Sequence, residues 1–389
     1  MKNIFQNQLS TIILNGNYRT LSTLVHKKNK IHYENRWLLN LSSNDYLGLA
    51  SNIELRNEFL EGLTAEHFIA GSSSSRLLTG NYDIYNRLES RLAELYESES
   101  ALVFNSGYHA NTGILPAVTT RKSLILADKL VHASLIDGIR LSDAQCIRYR
   151  HNDYAQLEQI LDTKASHFDI VIIVTESIFS MDGDEAELTR LVEIKNNYQN
   201  VMLYVDEAHA VGVRGKQGLG CCEEQGIIPK IDFLVGTFGK AFASMGAYVI
   251  CTRRCRDFLI NTMRTLIFTT ALPPVNLEWT LFILNKAILM SDKRMHLHKI
   301  SQMLYSPLNR LNGKQHQSCS HIVPYIVGAS ERASHLAKEI QKAGFYVLPI
   351  RPPTVPLGTA RLRISLTADC TLQDVKELLS IIMKEDKSK

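Results

Sequence analysis

"VGTFGKAFASMGAYVI", residues 235–250, carries one charged side chain, Lys240. Between Asp232 and Arg253 the chain has no other strong acid or base. Three readings of that lysine compete. The apolar run from Phe233 to Cys251 has the length of a membrane span, but a central lysine and three glycines oppose it, and its flanks read as α/β sequence. A phosphate-cradling Walker loop requires Gly-x-x-x-x-Gly-Lys-Ser/Thr; here Leu234 replaces the first glycine and Ala241 follows the lysine. The third reading is a lysine desolvated among apolar neighbours, so that its amine is partly deprotonated near neutral pH and serves as a nucleophile or base. That reading requires partners elsewhere in the chain.

Working outward, apolar runs of strand length alternate with amphipathic stretches, the pattern of a mainly parallel sheet covered by helices. The expected strands are 101–105, 123–127, 169–174, 201–205 and 232–236, and each ends in small or polar residues: Ser106 and Gly107, Asp128, Thr175 and Glu176, Asp206, and Thr237. Ligands in such sheets sit beyond the carboxyl ends of the strands, so these five ends are expected to converge. After residue 285 the pattern becomes helix, strand, helix, strand, helix, which suits a smaller C-terminal α/β domain. The expected division is an N-terminal arm over 1–45, a large domain over 46–285 and a small domain over 286–389.

The 389 residues, 45% hydrophobic, are enough for a large core. A net charge of +4 with only short basic clusters such as "HKKNK" (26–30) and "TRRCR" (252–256) gives no sign of nucleic-acid binding. The first twenty residues lack the apolar core and cleavage site of an export signal, so a cytoplasmic enzyme is expected, with no membrane association. Seven cysteines, Cys221 and Cys222 adjacent, show neither disulfide nor metal-ligand spacing; no metal site is expected.

In "YVDEAHAVGVRGKQGLG" (204–220), Asp206 alone is consistent with a helix cap. His209, three positions on, changes that reading, because the two side chains can share one cavity, and the glycines from Gly212 to Gly220 suit a close turn beneath a ligand. A carboxylate and an imidazole beside a reactive lysine are what a pyridine cofactor with a phenolic oxygen requires. "FNSGYHANTG" (104–113) passes from strand to helix, where exposed amides bind phosphate; "DKLVHASL" (128–135) adds His132 to stack on a flat ring, and "TESIFSMDGD" (175–184) adds Ser180.

These motifs, together with "LSSNDYLGLA", "SSRLLTGN", "GTFGKA" and "RPPTVPLGTARLRISLT", resemble the α-oxoamine synthases in order and over nearly the whole chain. These are pyridoxal-phosphate (PLP) enzymes of fold type I that condense an amino acid with an acyl thioester and release carbon dioxide. The resemblance implies that Lys240 carries the cofactor, with Asp206 facing its ring nitrogen, His209 its phenolic oxygen and His132 its ring face. Gly107, Tyr108, Ser180 and Thr237 would surround the cofactor, several of them at its phosphate. Within the family, residues 351–363 look most like members that join L-alanine to a pimeloyl thioester, carried by coenzyme A or by an acyl carrier protein. Glycine-using members usually lack the Arg-Pro-Pro found here. Arg363 would bind the amino-acid carboxylate, while Arg19, Asn44, Arg351 and Thr354 would line the acyl path. Arg361 is read as a solvated surface residue. "FTTALPP" (268–274) would reach across a two-fold axis, so that Thr269 or Thr270 contacts the phosphate held by a second copy, in a homodimer with shared sites. Two departures from the family pattern stand out: Ser73 and Ser74 replace a Gly-Gly pair, and Ala243 stands where glycine is common. A non-catalytic subunit of the same fold is the competing reading; such chains typically lose the lysine, and this one keeps Lys240, Asp206 and His209.

Overall fold

The structure is a computed structural model that describes residues 2–14, 18–313 and 318–387. Near-continuous apolar runs such as Ile170–Val174 form strands because both faces of a helix-covered sheet are dry. Seven strands make the main sheet: β4 (Ser100–Phe104), β5 (Ser123–Asp128), β6 (Gln145–Tyr149), β7 (Ile170–Glu176), β8 (Val201–Asp206), β9 (Phe233–Thr237) and β10 (Ala247–Cys251). Their order is β4-β10-β9-β8-β7-β5-β6. β10 runs antiparallel to both its neighbours, and the remaining pairs are parallel. All five expected strands are present within one or two residues. β6 and β10 are additions to that expectation, and β10 is the odd strand because only a tight loop, 238–246, separates it from β9.

Two small sheets flank this core. In the N-terminal part, β1 (Val25–Lys27), β2 (Lys30–Tyr33) and β3 (Arg36–Asn40) form a meander, and β3 pairs in parallel with β12 (Phe345–Tyr346). The strands of the arm are therefore completed by a C-terminal segment. The third sheet joins β11 (Ile322–Gly328), β14 (Ala360–Ser365) and β13 (Pro349–Ile350), all antiparallel. The helices Ser291–Leu311, Ser330–Lys342 and Leu372–Lys387 give the expected alternation after residue 285. No helix among the described residues is long and apolar enough to cross a membrane. The seven cysteines are free, and four of them (Cys221, Cys222, Cys251 and Cys370) are buried.

Two of the positions that depart from the family pattern turn out to be backbone positions. Ser73 has φ +51° and Ala243 φ +47°, both in the left-handed region that glycine occupies at least cost.

Candidate active site

Lys240 sits on the loop that turns β9 back into β10. Its neighbours Phe238, Ala241 and Phe242 are buried, and the turn closes through Ala243 N to Lys240 O (2.9 Å) and Ser244 N to Phe238 O (2.9 Å). The apolar residues of the opening stretch are thus the anchors that hold one amine beyond the carboxyl end of β9, inside the sheet. Gly212 lies behind this turn, where a Cβ would come within 2.5 Å of the Ala241 Cβ. The rest of the glycine run packs on Glu207, Glu223 and Arg294. Its close turn therefore supports the lysine loop and a buried carboxylate.

Lys240 Nζ is 2.8 Å from His209 Nε2. Burial lowers the lysine pKa to about 8, with the carboxylates of Asp206 and Glu176 pulling it up and Arg363 pushing it down. His209 is buried, and desolvation together with the facing cations Lys240 and Arg363 and the imidazoles of His321 and His132 holds it well below the usual range. Neutral imidazole is the stable form.

Asp206 ends β8, and both its oxygens are held: Oδ1 accepts from Ala208 N at 2.9 Å and Oδ2 from Asn111 Nδ2 at 2.8 Å. Asn111 also donates to Ser134 Oγ at 2.9 Å and accepts from the Tyr204 hydroxyl at 2.6 Å. Ser134 in turn donates to His132 Nδ1 (2.8 Å), which also accepts from Ser134 N (3.2 Å) as the cap of the helix Ala133–Leu141. One network therefore fixes the acid and the ring of His132. Desolvation lowers the His132 pKa, against the pull of Asp206.

β7 contributes Glu176, which pairs with Asp206 across the strands and accepts the His132 amide at 2.5 Å. Burial first, then the Asp206 charge, raises its pKa well above the carboxylate range, against the pull of Lys240. The helix Gly107–Val118 begins beside β4 with Ser106 as its cap. A Cβ on Gly107 would stand 3.9 Å from the Thr237 Cβ, so the helix start lies directly beside the end of β9. Thr237 donates to Gly246 O and accepts the Gly239 amide. Tyr108 is exposed and donates to Asp137. Thr270 is exposed, and its carbonyl accepts from Asn105 two residues before that helix.

The end of β5 leads into His132 beside Glu176, while its Asp128 side chain holds a histidine of its own. Asp128 binds His151 Nδ1 at 2.9 Å, and Asp184 binds Nε2 at 2.5 Å. Burial opposes charge on this imidazole, yet the two carboxylate bonds hold its pKa up at about 10. It is a half-buried imidazole clasped between two buried carboxylates.

At the other side of the cleft, Arg363 donates from Nε to Ser180 O (2.6 Å) and from Nη1 to Ser365 Oγ (2.6 Å). Nη2 makes a long, 3.5 Å contact with Asn44 Oδ1, and the guanidinium also faces the Tyr46 hydroxyl. Arg361, two residues earlier on β14, is buried and paired with Asp182. The reading of Arg361 as a surface residue is therefore wrong: β14 uses the two arginines to clamp the 180–182 turn. Arg19 Nη2 meets Thr354 Oγ1 at 3.4 Å, so two residues assigned to the acyl path lie together, with Arg351 O accepting the Thr354 amide.

An amine with a lowered pKa, a held carboxylate, a neutral imidazole and a helix start around one cleft form the donor set that a phosphorylated pyridine requires. The sequence reading missed Tyr46, Asn111 and Ser134, whose roles depend on contacts with residues distant in the chain, apart from the local Ser134–His132 pair.

Residues 36–382 match the family model described as "Aminotransferase class I and II". A protein of Haemophilus influenzae (strain 86-028NP) named "Putative 8-amino-7-oxononanoate synthase" is 54% identical over 379 residues, covering 97% of this chain and 99% of its own length. Among solved structures, 8-amino-7-oxononanoate synthase from Francisella tularensis aligns with TM-score 0.77 and 30% identity over 90% of this chain and 98% of its own. A serine palmitoyltransferase variant from S. paucimobilis with a bound PLP–myriocin aldimine aligns with TM-score 0.89 and 27% identity over 99% of this chain and 97% of its own.

Proposed function

Because the chain belongs to the class I and II aminotransferase family, and within it to the PLP-dependent α-oxoamine synthases, we propose that it is an 8-amino-7-oxononanoate synthase. It would join L-alanine to a pimeloyl thioester of coenzyme A or acyl carrier protein, with loss of carbon dioxide, in the cytoplasmic biotin pathway. The observation that carries this reading is the desolvated Lys240 amine set against His209 and facing the Asp206 carboxylate. The names of relatives such as the Haemophilus protein support the choice of substrates.

Bound PLP supplies an electron-withdrawing ring that stabilises negative charge at the amino acid's α-carbon. Lys240 would hold the cofactor covalently and, once released by alanine, would take the α-proton; a pKa of about 8 leaves an appreciable free-amine fraction at neutral pH. Asp206, fixed by Asn111, would keep the ring nitrogen protonated, and His209 would serve the phenolic oxygen. His132 would cover the ring face. Gly107, Tyr108, Ser180 and Thr237 would surround the cofactor, several of them at its phosphate, with Thr270 of the partner subunit reaching that phosphate in a homodimer. Arg363 would take the alanine carboxylate through its outer nitrogens, displacing the long Asn44 contact. Arg19, Asn44, Arg351 and Thr354 would line the acyl path. The reading includes a cofactor-binding unit over 46–285 and a smaller unit over 286–389.

A substrate panel tests it: alanine, glycine and serine crossed with acetyl, succinyl, pimeloyl and palmitoyl thioesters, scored by product mass. The expected product is the amino ketone of alanine and the pimeloyl thioester. Preference for glycine with acetyl-coenzyme A would instead make the chain a 2-amino-3-ketobutyrate ligase.

A further inference from the structure

A row of side chains joins Lys240 to Arg363. Lys240 Nζ meets His209 Nε2 at 2.8 Å, His209 Nδ1 meets the Tyr46 hydroxyl at 2.7 Å, and that hydroxyl reaches Asn44 Oδ1 at 3.0 Å. Arg363 stands at the far end, 3.5 Å from Asn44 Oδ1 and with its guanidinium also turned to the Tyr46 oxygen. Tyr46 is fully buried, and the His321 ring packs on it at a centroid distance of 4.0 Å. His321 Nε2 has no hydrogen-bond partner among the described residues.

We infer that Tyr46 is a positioning residue whose hydroxyl decides which nitrogen of His209 carries the proton, and therefore what Lys240 faces. The two ends of the row set its direction. A guanidinium only donates, and an amide oxygen only accepts. The Tyr46 hydroxyl, facing both, gives its proton to Asn44 and offers its lone pairs to Arg363 and to His209 Nδ1–H. His209 is neutral in its setting of Lys240, Arg363, His321 and His132, so it has a single proton to place. With that proton on Nδ1, Nε2 presents a lone pair to the Lys240 ammonium. The row thus helps the lysine keep its proton, in opposition to burial.

Removing the hydroxyl leaves a buried Nδ1–H without an acceptor, which is costly. The proton then moves to Nε2, where an N–H points at the lysine and favours its neutral amine. Arg363, the residue assigned to the substrate carboxylate, is in this way connected to the proton on Lys240 about two side chains away. The inference deepens the proposed function and rests on it only for the identity of the group that Arg363 receives.

The test uses cofactor-free protein with 15N-labelled histidine, the His209 signals being assigned by their loss in His209→Gln. In the unaltered protein at pH 7, Nδ1 is expected to show the shift of a protonated nitrogen and Nε2 that of an unprotonated one. In Tyr46→Phe the two assignments exchange, and the midpoint for acetylation of Lys240, followed by mass spectrometry across pH, moves down. Asn44→Ala, at the exposed end of the row, removes the fixed acceptor while keeping the phenol; it is expected to give a mixture of the two forms even if Tyr46→Phe fails to fold. An unaltered protein with the proton on Nε2, or a His209 pattern unchanged in the variants that fold, overturns the inference. Failure of the unaltered protein to bind PLP would remove the proposed function while leaving the tautomer result standing, so the two failures are distinguishable.

Discussion

Asn111 Nδ2 lies 2.8 Å from Asp206 Oδ2, holding the carboxylate at the end of β8 from a helix that begins at the end of β4. The same amide group also reaches Ser134, whose hydroxyl and amide both bond to the capping His132 ring. Asp206→Asn is expected to leave the fold intact and to lower kcat about 10²–10³-fold, the range seen when a fixed electrostatic partner of a reacting group is removed. Asn111→Ala leaves the carboxylate with one donor and is expected to cost about 1–3 kcal/mol of transition-state stabilisation, or roughly 5–150-fold in kcat/KM. Steady-state kinetics on both variants checks the order of the two effects.

The acetylation midpoint of Lys240 in cofactor-free protein is expected near pH 8, because burial disfavours its ammonium. Ordinary lysines titrate near about 10.4, so at pH 7 Lys240 has a free-amine fraction on the order of a hundredfold larger. A folded pKa below the unfolded one means that the charged form is penalised, so reactivity rises as pH passes from about 6 to about 9 and then levels. Peptide mass spectrometry across that range checks the profile against the exposed lysines of the same sample.

Ser73 and Ala243 hold left-handed backbone without being glycine. A left-handed residue with a Cβ costs about 1–2 kcal/mol, and glycine's larger unfolded-state entropy returns part of that. Ala243→Gly and Ser73→Gly are therefore each expected to raise stability by about 0.5–1 kcal/mol, read as a higher urea midpoint at unchanged slope. A lower midpoint in both would show that the side chains contribute packing that outweighs the strain.

Thr270 is exposed beside Asn105 and the helix that starts at Gly107. If its hydroxyl serves a site across a two-fold axis, Thr270→Ala weakens cofactor retention. Mixing that chain with Lys240→Ala chains then gives hybrid dimers with one site carrying both lesions and one carrying neither. Activity above both parents is the expected result. Activity no higher than that of the parents would place Thr270 in its own chain's site.

How far the sequence discloses this arrangement depends on the range of each contact. The strands β5, β7, β8 and β9 are legible because a strand dry on both faces is a continuous apolar run, and their polar ends follow from the same pattern. Lys240 is legible because a single charge in such a run has no local partner. Asn111 and Tyr46 are not, since they act on residues 95 and 163 positions away, and such pairs have no local periodicity. The burial of Arg361 is not legible because it depends on Asp182, 179 residues earlier. The antiparallel β10 is not legible because its strand "AYVIC" continues the same apolar run as β9, with only the 238–246 loop between them.

The central claim is that Lys240 is the residue that holds the cofactor, and borohydride reduction of the PLP-supplemented protein tests it most directly. The expected result is loss of the visible absorbance together with a phosphopyridoxyl mass on the peptide containing Lys240, and neither change in Lys240→Ala. A stable label on a different lysine, or no label on a protein saturated with PLP, would contradict it.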